Sequence, residues 1–281
     1  GYLVFGVLFD FLQIDASIAY NLTIPLIAAL SSIILFGLIW NISSCLHFSK
    51  TIIFLLCSSS VIVFNFFSNT EPLFELLNSM TILPKEFLLW LAIDGLDVNV
   101  DGISFFPNDH YWWWRATRVI NTFDSVTNSS LDYTITEFPF FTFALADLHP
   151  HLISIPFYLM FITFSFNLVL LNHGTNLIIG KKRISNNIFL LFLSLTFGSL
   201  IIMNAWNTPS IALLLFGASI IPIRNYLTPN LFTKIKINLY IIIFSILMYL
   251  PFFINYKAPV NEISVVGAIS SQFIHLLTIW G

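Results

Sequence analysis

The chain has 281 residues, 57% of them hydrophobic and 9% charged, where an ordinary soluble domain carries roughly 25% charge. Too few polar side chains exist to cover a water-facing globule, so a soluble enzyme is excluded and lipid is the expected solvent. The net charge of −3 says nothing about nucleic acid; the partner expected is membrane lipid, and nucleic acid is not expected.

Apolar runs predict spans over Tyr2 to Leu12, Ser17 to Trp40, Thr51 to Phe67, Leu152 to Leu171, Ile188 to Met203, Ile211 to Ile223 and Ile237 to Ile254, with a further run from Ile274. The fold class expected is all-α: a polytopic transmembrane helical bundle with about seven spans, residues 1–281 forming a single membrane domain. Gly1 opens inside an apolar run, without an initiator Met, a charged n-region or a small-residue cleavage site, which predicts a piece of a longer protein rather than a signal peptide. Between the fifth and sixth spans, Asn204-Ala205-Trp206-Asn207-Thr208-Pro209 predicts a turn separating two short helices. Cys45 and Cys57 have neither metal nor redox spacing and read as buried or lipid-facing thiols.

Charge supplies an orientation, because Lys and Arg concentrate in cytoplasmic loops near spans. The loops 43–50, 172–187 and 224–236 hold seven of the eleven basic residues and no acid. The opposite side takes all fourteen acids and only Lys85, Arg115, Arg118 and Lys257. Residues 68–151 then form a long non-cytoplasmic loop with eleven of the fourteen acids. It is too long for an idle connector and too aromatic for disorder. Pro84 to Trp90 predicts a short interfacial helix with Pro in its first turn.

Within that loop, Glu137 and the run Asp147-Leu148-His149-Pro150-His151 precede an apolar span, where acids and imidazoles are costly unless paired, hydrated or coordinated. Asp147, His149 and His151 offer an oxygen and two nitrogens to a divalent cation, or a carboxylate orienting a proton-transferring His; local helix capping is the plain alternative. Arg115 and Arg118 are three apart, on one helix face, and suit a phosphate or carboxylate unless the nearby acids absorb both charges. Trp112, Trp113 and Trp114 suit an interfacial belt, with sugar stacking as the other reading. Asp94, Asp97 and Asp101 depart from a calcium-loop order and read as a solvated loop. Of the sequons at Asn21, Asn41 and Asn128, only Asn128 falls in an outer loop.

The stretches Trp113 to Ile120 and Ile135 to Phe143, followed by Asp147 to His151, resemble the signature segments of the bacterial and archaeal YYY (Chlor-Arch-YYY) membrane proteins, a family of uncharacterised function. Gly1 to Val4, Ala19 to Leu22, Tyr249 to Phe253 and Gly267 extend the likeness along nearly the whole chain. That family resembles the GT-C glycosyltransferases, which implies transfer of sugar from a polyprenyl-phosphate carrier at the non-cytoplasmic face of a prokaryotic cytoplasmic membrane. The resemblance further implies a catalytic acid in a first outer loop upstream of Gly1. It also implies an acid after Trp206, where this chain has Asn207. On this reading Arg115 and Arg118 contact the phosphate and Trp114 and Trp206 the substrate. Glu137, Asp147, His149 and His151 then serve acid–base chemistry, with Asp147, His149 and His151 as ligands of Mg or Mn. The rivals are a transporter or lipid flippase, with a broken-helix site at Trp206, and a non-catalytic membrane assembly subunit.

Overall fold

The computed structural model describes residues 2–96, 102–123, 126–127, 130–171, 178–179, 182–183, 186–220, 231–257 and 271–280. These are mostly helical and fall into two compact units, one of residues 1–53 with 148–260, the other of 54–147 with 261–281.

The first unit begins with α1 (Tyr2–Phe11), a turn in which Gln13 takes the left-handed conformation at φ 54°, and α2 (Ala16–Cys45). It continues with α8 (Pro150–Leu171), α9 (Asn186–Met203), α10 (Thr208–Ile220), α11 (Leu231–Met248) and α12 (Leu250–Asn255). A two-residue ladder pairs Ile178–Ile179 with Lys182–Arg183. Its core is one apolar cluster in which Phe161 and Leu168 of α8, Leu193 and Phe197 of α9, Leu215 of α10 and Ile241 of α11 interdigitate. Where lipid replaces water, helices gain little by hiding apolar surface from one another, so close approach and hydroxyl hydrogen bonds matter more. Both occur here. Ser245 of α11 donates to the Ser194 carbonyl of α9 at 2.7 Å, Asn238 donates to Ser219 of α10 at 2.8 Å, and the Tyr249 phenol donates to the Leu195 carbonyl at 3.0 Å. The Tyr249 ring packs so closely on Gly198 that a Cβ there would overlap it.

The second unit takes most of α3 (Lys50–Phe66), then α4 (Glu71–Ser79), α5 (Lys85–Leu91), α6 (Trp112–Arg115), a hairpin of β1 (Asn121–Phe123) and β2 (Ser130–Tyr133), α7 (Pro139–Leu145) and α13 (Phe273–Trp280). Pro84 caps α5 where the sequence predicts it; Leu88 and Leu91 are buried while Leu89 and Trp90 face outward. The predicted amphipathic helix is therefore present. Leu88, Leu91, Leu96, Val119, Ile120 and Ile279 form its core. Thr70 donates both its N–H and its hydroxyl to the Thr278 carbonyl, at 2.9 and 2.7 Å, and His275 meets the Leu91 carbonyl at 2.7 Å, tying α13 to both ends of the α4–α5 region.

Two expectations change. Helices occupy every predicted apolar run, yet among the described residues only α2 and α8 are long and apolar enough to cross a membrane, or three spans if α3 and α4 count as one. Seven spans are therefore not what the structure supports. α1, α9, α10 and α11 each present fewer than 18 described apolar residues, and the run expected from Ile237 to Ile254 breaks at Tyr249. α4, which carries Glu71 and Glu75, turns 83° away from α3 and does not continue it as one straight span. The all-α expectation also yields to the short strands, where β1 and β2 pair antiparallel with a bulge at Thr122/Phe123. The expected break at Trp206 is present: α9 ends at Met203, a 3-10 turn spans Ala205–Asn207, and the Asn204 side chain accepts from the Trp206 N–H at 3.2 Å. Asp97, Asp101, Asn128, Lys181, Arg224 and Gly267 lie outside the described residues.

Candidate functional site

In the second unit the segment's charges converge on Arg115. Its Nε donates to Glu75 at 2.5 Å and its Nη1 to Asp109 at 2.5 Å. The guanidinium is placed by Gly95, whose φ of +77° turns the chain where a Cβ would sit 2.9 Å from Arg115 Cδ. α4 is held to the end of α6 by Asn69, which accepts the Glu71 N–H at 2.9 Å and donates to the Ala116 carbonyl at 2.7 Å. Burial alone would lower the Arg115 pKa, but the hydrogen bonds and charges of Glu75 and Asp109 outweigh it and hold the group above its ordinary value. The Tyr111 N–H and Arg115 together keep Asp109 below the usual carboxylate range.

One turn from Glu75, Glu71 is fully buried. Desolvation, then the neighbouring Glu75 charge, push its carboxyl well above the ordinary value of 4.5, with Arg115 pulling the other way. Neither Glu71 oxygen makes a hydrogen bond of standard geometry, although Glu75 is near enough to act on it. Sequence reading passed over Glu71 and Glu75. The signal available was their i, i+4 spacing on one helical face of a segment with few bases.

Arg118 does something different. Its guanidinium carbon stacks 4.3 Å above the Trp114 ring and 5.9 Å from Phe141, while Nη1 donates to the Thr117 hydroxyl. Trp114 also meets Phe141 edge-on at 5.3 Å and is 38% exposed. The two arginines thus share a helical region but not an environment: Arg115 is engaged by two carboxylates and Arg118 lies on an aromatic platform.

The expected acid–base set is divided by the unit boundary. Glu137 and Asp147 belong to the second unit, His149 and His151 to the first, and the two imidazole centroids stand 5.4 Å apart. Among the described residues no three His, Cys, Asp or Glu side chains gather as a metal site. Asp147 follows Ala146, whose left-handed φ of 57° ends α7, whereas His151 already lies inside α8, so Asp147, His149 and His151 are not arranged on one face of one element. Trp206 is 87% exposed, and Asn207 beside it donates to Ser154 at 3.3 Å.

The first unit contains a cavity of about 430 Å³ lined by Tyr2, Asp10, Asp15, Tyr20, Thr23 and Leu148. Asp10 and Asp15 flank the turn between α1 and α2, and Asp15 spends no side-chain hydrogen bond on capping α2. The Leu148 peptide is gripped at both ends, its N–H donating to Tyr20 at 3.1 Å and its carbonyl accepting from Tyr2. An apolar groove of about 620 Å³, lined by Val4, Leu8, Phe11, Leu26, Leu30 and Phe157, adjoins this cavity, and Phe5 borders both. Sequence reading passed over Asp10 and Asp15 except within the fourteen acids assigned to one side.

Fold and composition therefore define a helical membrane protein. The family model for an uncharacterised membrane protein, DUF2298, matches residues 1–281, and the chain belongs to that family. No curated protein and no solved structure matches it.

Proposed function

We propose that the chain is a GT-C-like glycosyltransferase that moves sugar from a polyprenyl-phosphate carrier to an acceptor at the non-cytoplasmic face of a prokaryotic cytoplasmic membrane. One observation carries this reading: an acid-lined cavity and an apolar groove share Phe5 on α1. A lipid-linked sugar has the same division, with an apolar chain for the groove and a hydroxyl-rich head for the cavity. In an inverting transfer, Asp10 or Asp15 accepts the proton of an acceptor hydroxyl. The freed oxygen attacks the anomeric carbon as the sugar–phosphate bond breaks, and the phosphate leaves on its lipid. His149 and His151, at the start of α8, are the nearest imidazoles in sequence to Leu148 of the cavity wall. In the second unit Arg115, between Glu75 and Asp109, and Arg118, stacked on Trp114, are the candidate contacts for the phosphate. Glu137, Asp147 and Trp206 remain secondary candidates for acid–base and sugar contacts.

The test is release of polyprenyl phosphate from a lipid-linked sugar by the purified protein in liposomes. Asp10→Asn or Asp15→Asn is expected to lower turnover about 100-fold or more. Full activity in both, or no transfer by the unaltered protein, sinks the reading. Lipid translocation without transfer would favour a flippase instead, for which the helix break at Trp206 is the supporting feature.

A further inference from the structure

We propose that Glu71 and Glu75 form a proton-binding pair, the two carboxyl groups holding one proton and one negative charge between them with Arg115 as counter-ion. This pair belongs to the second unit and owes nothing to the cavity beside α1, so the two proposals stand or fall separately.

Glu71 is 0% exposed and Glu75 3% exposed, four residues apart on α4, which sets their side chains one above the other. Arg115 satisfies one oxygen of Glu75 and spends its second contact on Asp109. Arg115 therefore acts on three carboxyl groups, Glu71, Glu75 and Asp109. A buried carboxylate that receives no hydrogen bond is strongly disfavoured, and such a group takes up a proton instead. Two adjacent carboxyls in one site resist double ionisation for the same reason. With the proton on Glu71, its hydroxyl can turn to the neighbouring Glu75 oxygen, and Arg115 balances the single remaining charge.

The groups around the pair leave little alternative. From the segment leading into α6 come Arg115 and Asp109, with His110 beside Asp109. The Asn69 amide is committed to the Glu71 backbone and the Ala116 carbonyl. From α13, packed on Thr70, comes His275, whose ring nitrogen meets the Leu91 carbonyl. Burial, followed by the Glu75 charge, raises the Glu71 pKa, in keeping with a retained proton. Because the folded value is the raised one, the stability this proton confers is complete below the unfolded value of 4.5 and is lost as pH rises through the folded value.

The experiment is infrared difference spectroscopy with thermal unfolding, on the full chain in detergent. A protonated-carboxyl carbonyl band is expected near neutral pH. It should vanish in Glu71→Gln, which mimics the protonated form. The same variant should keep its midpoint within a few degrees of the unaltered chain near neutral pH and lose the fall of Tm toward alkaline pH. Glu75→Gln should lower the midpoint by clearly more. Absence of the band in the unaltered chain overturns the proposal, as does its persistence in Glu71→Gln. Failure of Glu71→Gln to fold also overturns it, because Gln reproduces the shape of the protonated acid. Stabilisation by sodium or calcium chloride that Glu71→Gln abolishes would show a cation in place of the proton, and equally overturn it.

Discussion

The helical bundle of α8 to α11 and the segment from α4 to α6 solve opposite problems with the same chain. In the bundle, lipid-compatible helices are placed by volume: Tyr249 fits against Gly198, and hydroxyls trim the contacts. In the segment, packing is ordinary and charge is what must match, with Glu71, Glu75 and Asp109 set around a single guanidinium. Steric demands are thus concentrated in the bundle and electrostatic demands in the segment.

Substitutions separate the steric regime from the electrostatic one. Arg115→Leu should be the most damaging, costing about 3 kcal/mol or more in detergent unfolding, because it leaves the buried Glu75 without its counter-ion. A loss below that of the bundle variants would mean charge matching is not what orders the segment. Gly198→Val should cost about 1–3 kcal/mol by forcing the Tyr249 ring away, read as a drop in midpoint that Tyr249→Ala partly restores. Gly95→Ala should cost about 1 kcal/mol, from the left-handed backbone and the encroachment on Arg115, and the loss should shrink in an Arg115→Leu background. Ser245→Ala should be the mildest, at roughly 0.6 kcal/mol, typical of an interhelical hydroxyl in lipid; a loss as large as that of Gly198→Val would put polar bonds, not fit, in charge of the bundle.

Much of the helical layout was legible because apolar runs and breakers are local signals. Pro84 opens α5, and Asn204 to Pro209 interrupts α9 and α10 as their residue types require. Span number was not legible in the same way. Hydropathy counts apolar residues but not how many stay in one straight helix, so the break at Tyr249 escaped it, whereas the end of α3 at Phe66 falls where the apolar run stops. The site was less legible still. Arg115 and Arg118 look alike in sequence, three residues apart, yet their surroundings come from Glu75 and Gly95 on one hand and Phe141 on the other, through contacts that sequence does not record. Asp10 and Asp15, in sequence only two of the fourteen acids, share a cavity wall with Leu148.

The double grip on Leu148 also bears on how the chain is made. Tyr20 and Leu148 are 128 residues apart, so at roughly 5–20 residues per second the ribosome needs on the order of 10 s after making α1 and α2 to deliver their partner. During that interval the turn carrying Asp10 and Asp15 stands without its third wall. Closure of the cavity is thus a late event in biogenesis, set by when Leu148 and the start of α8 have been made.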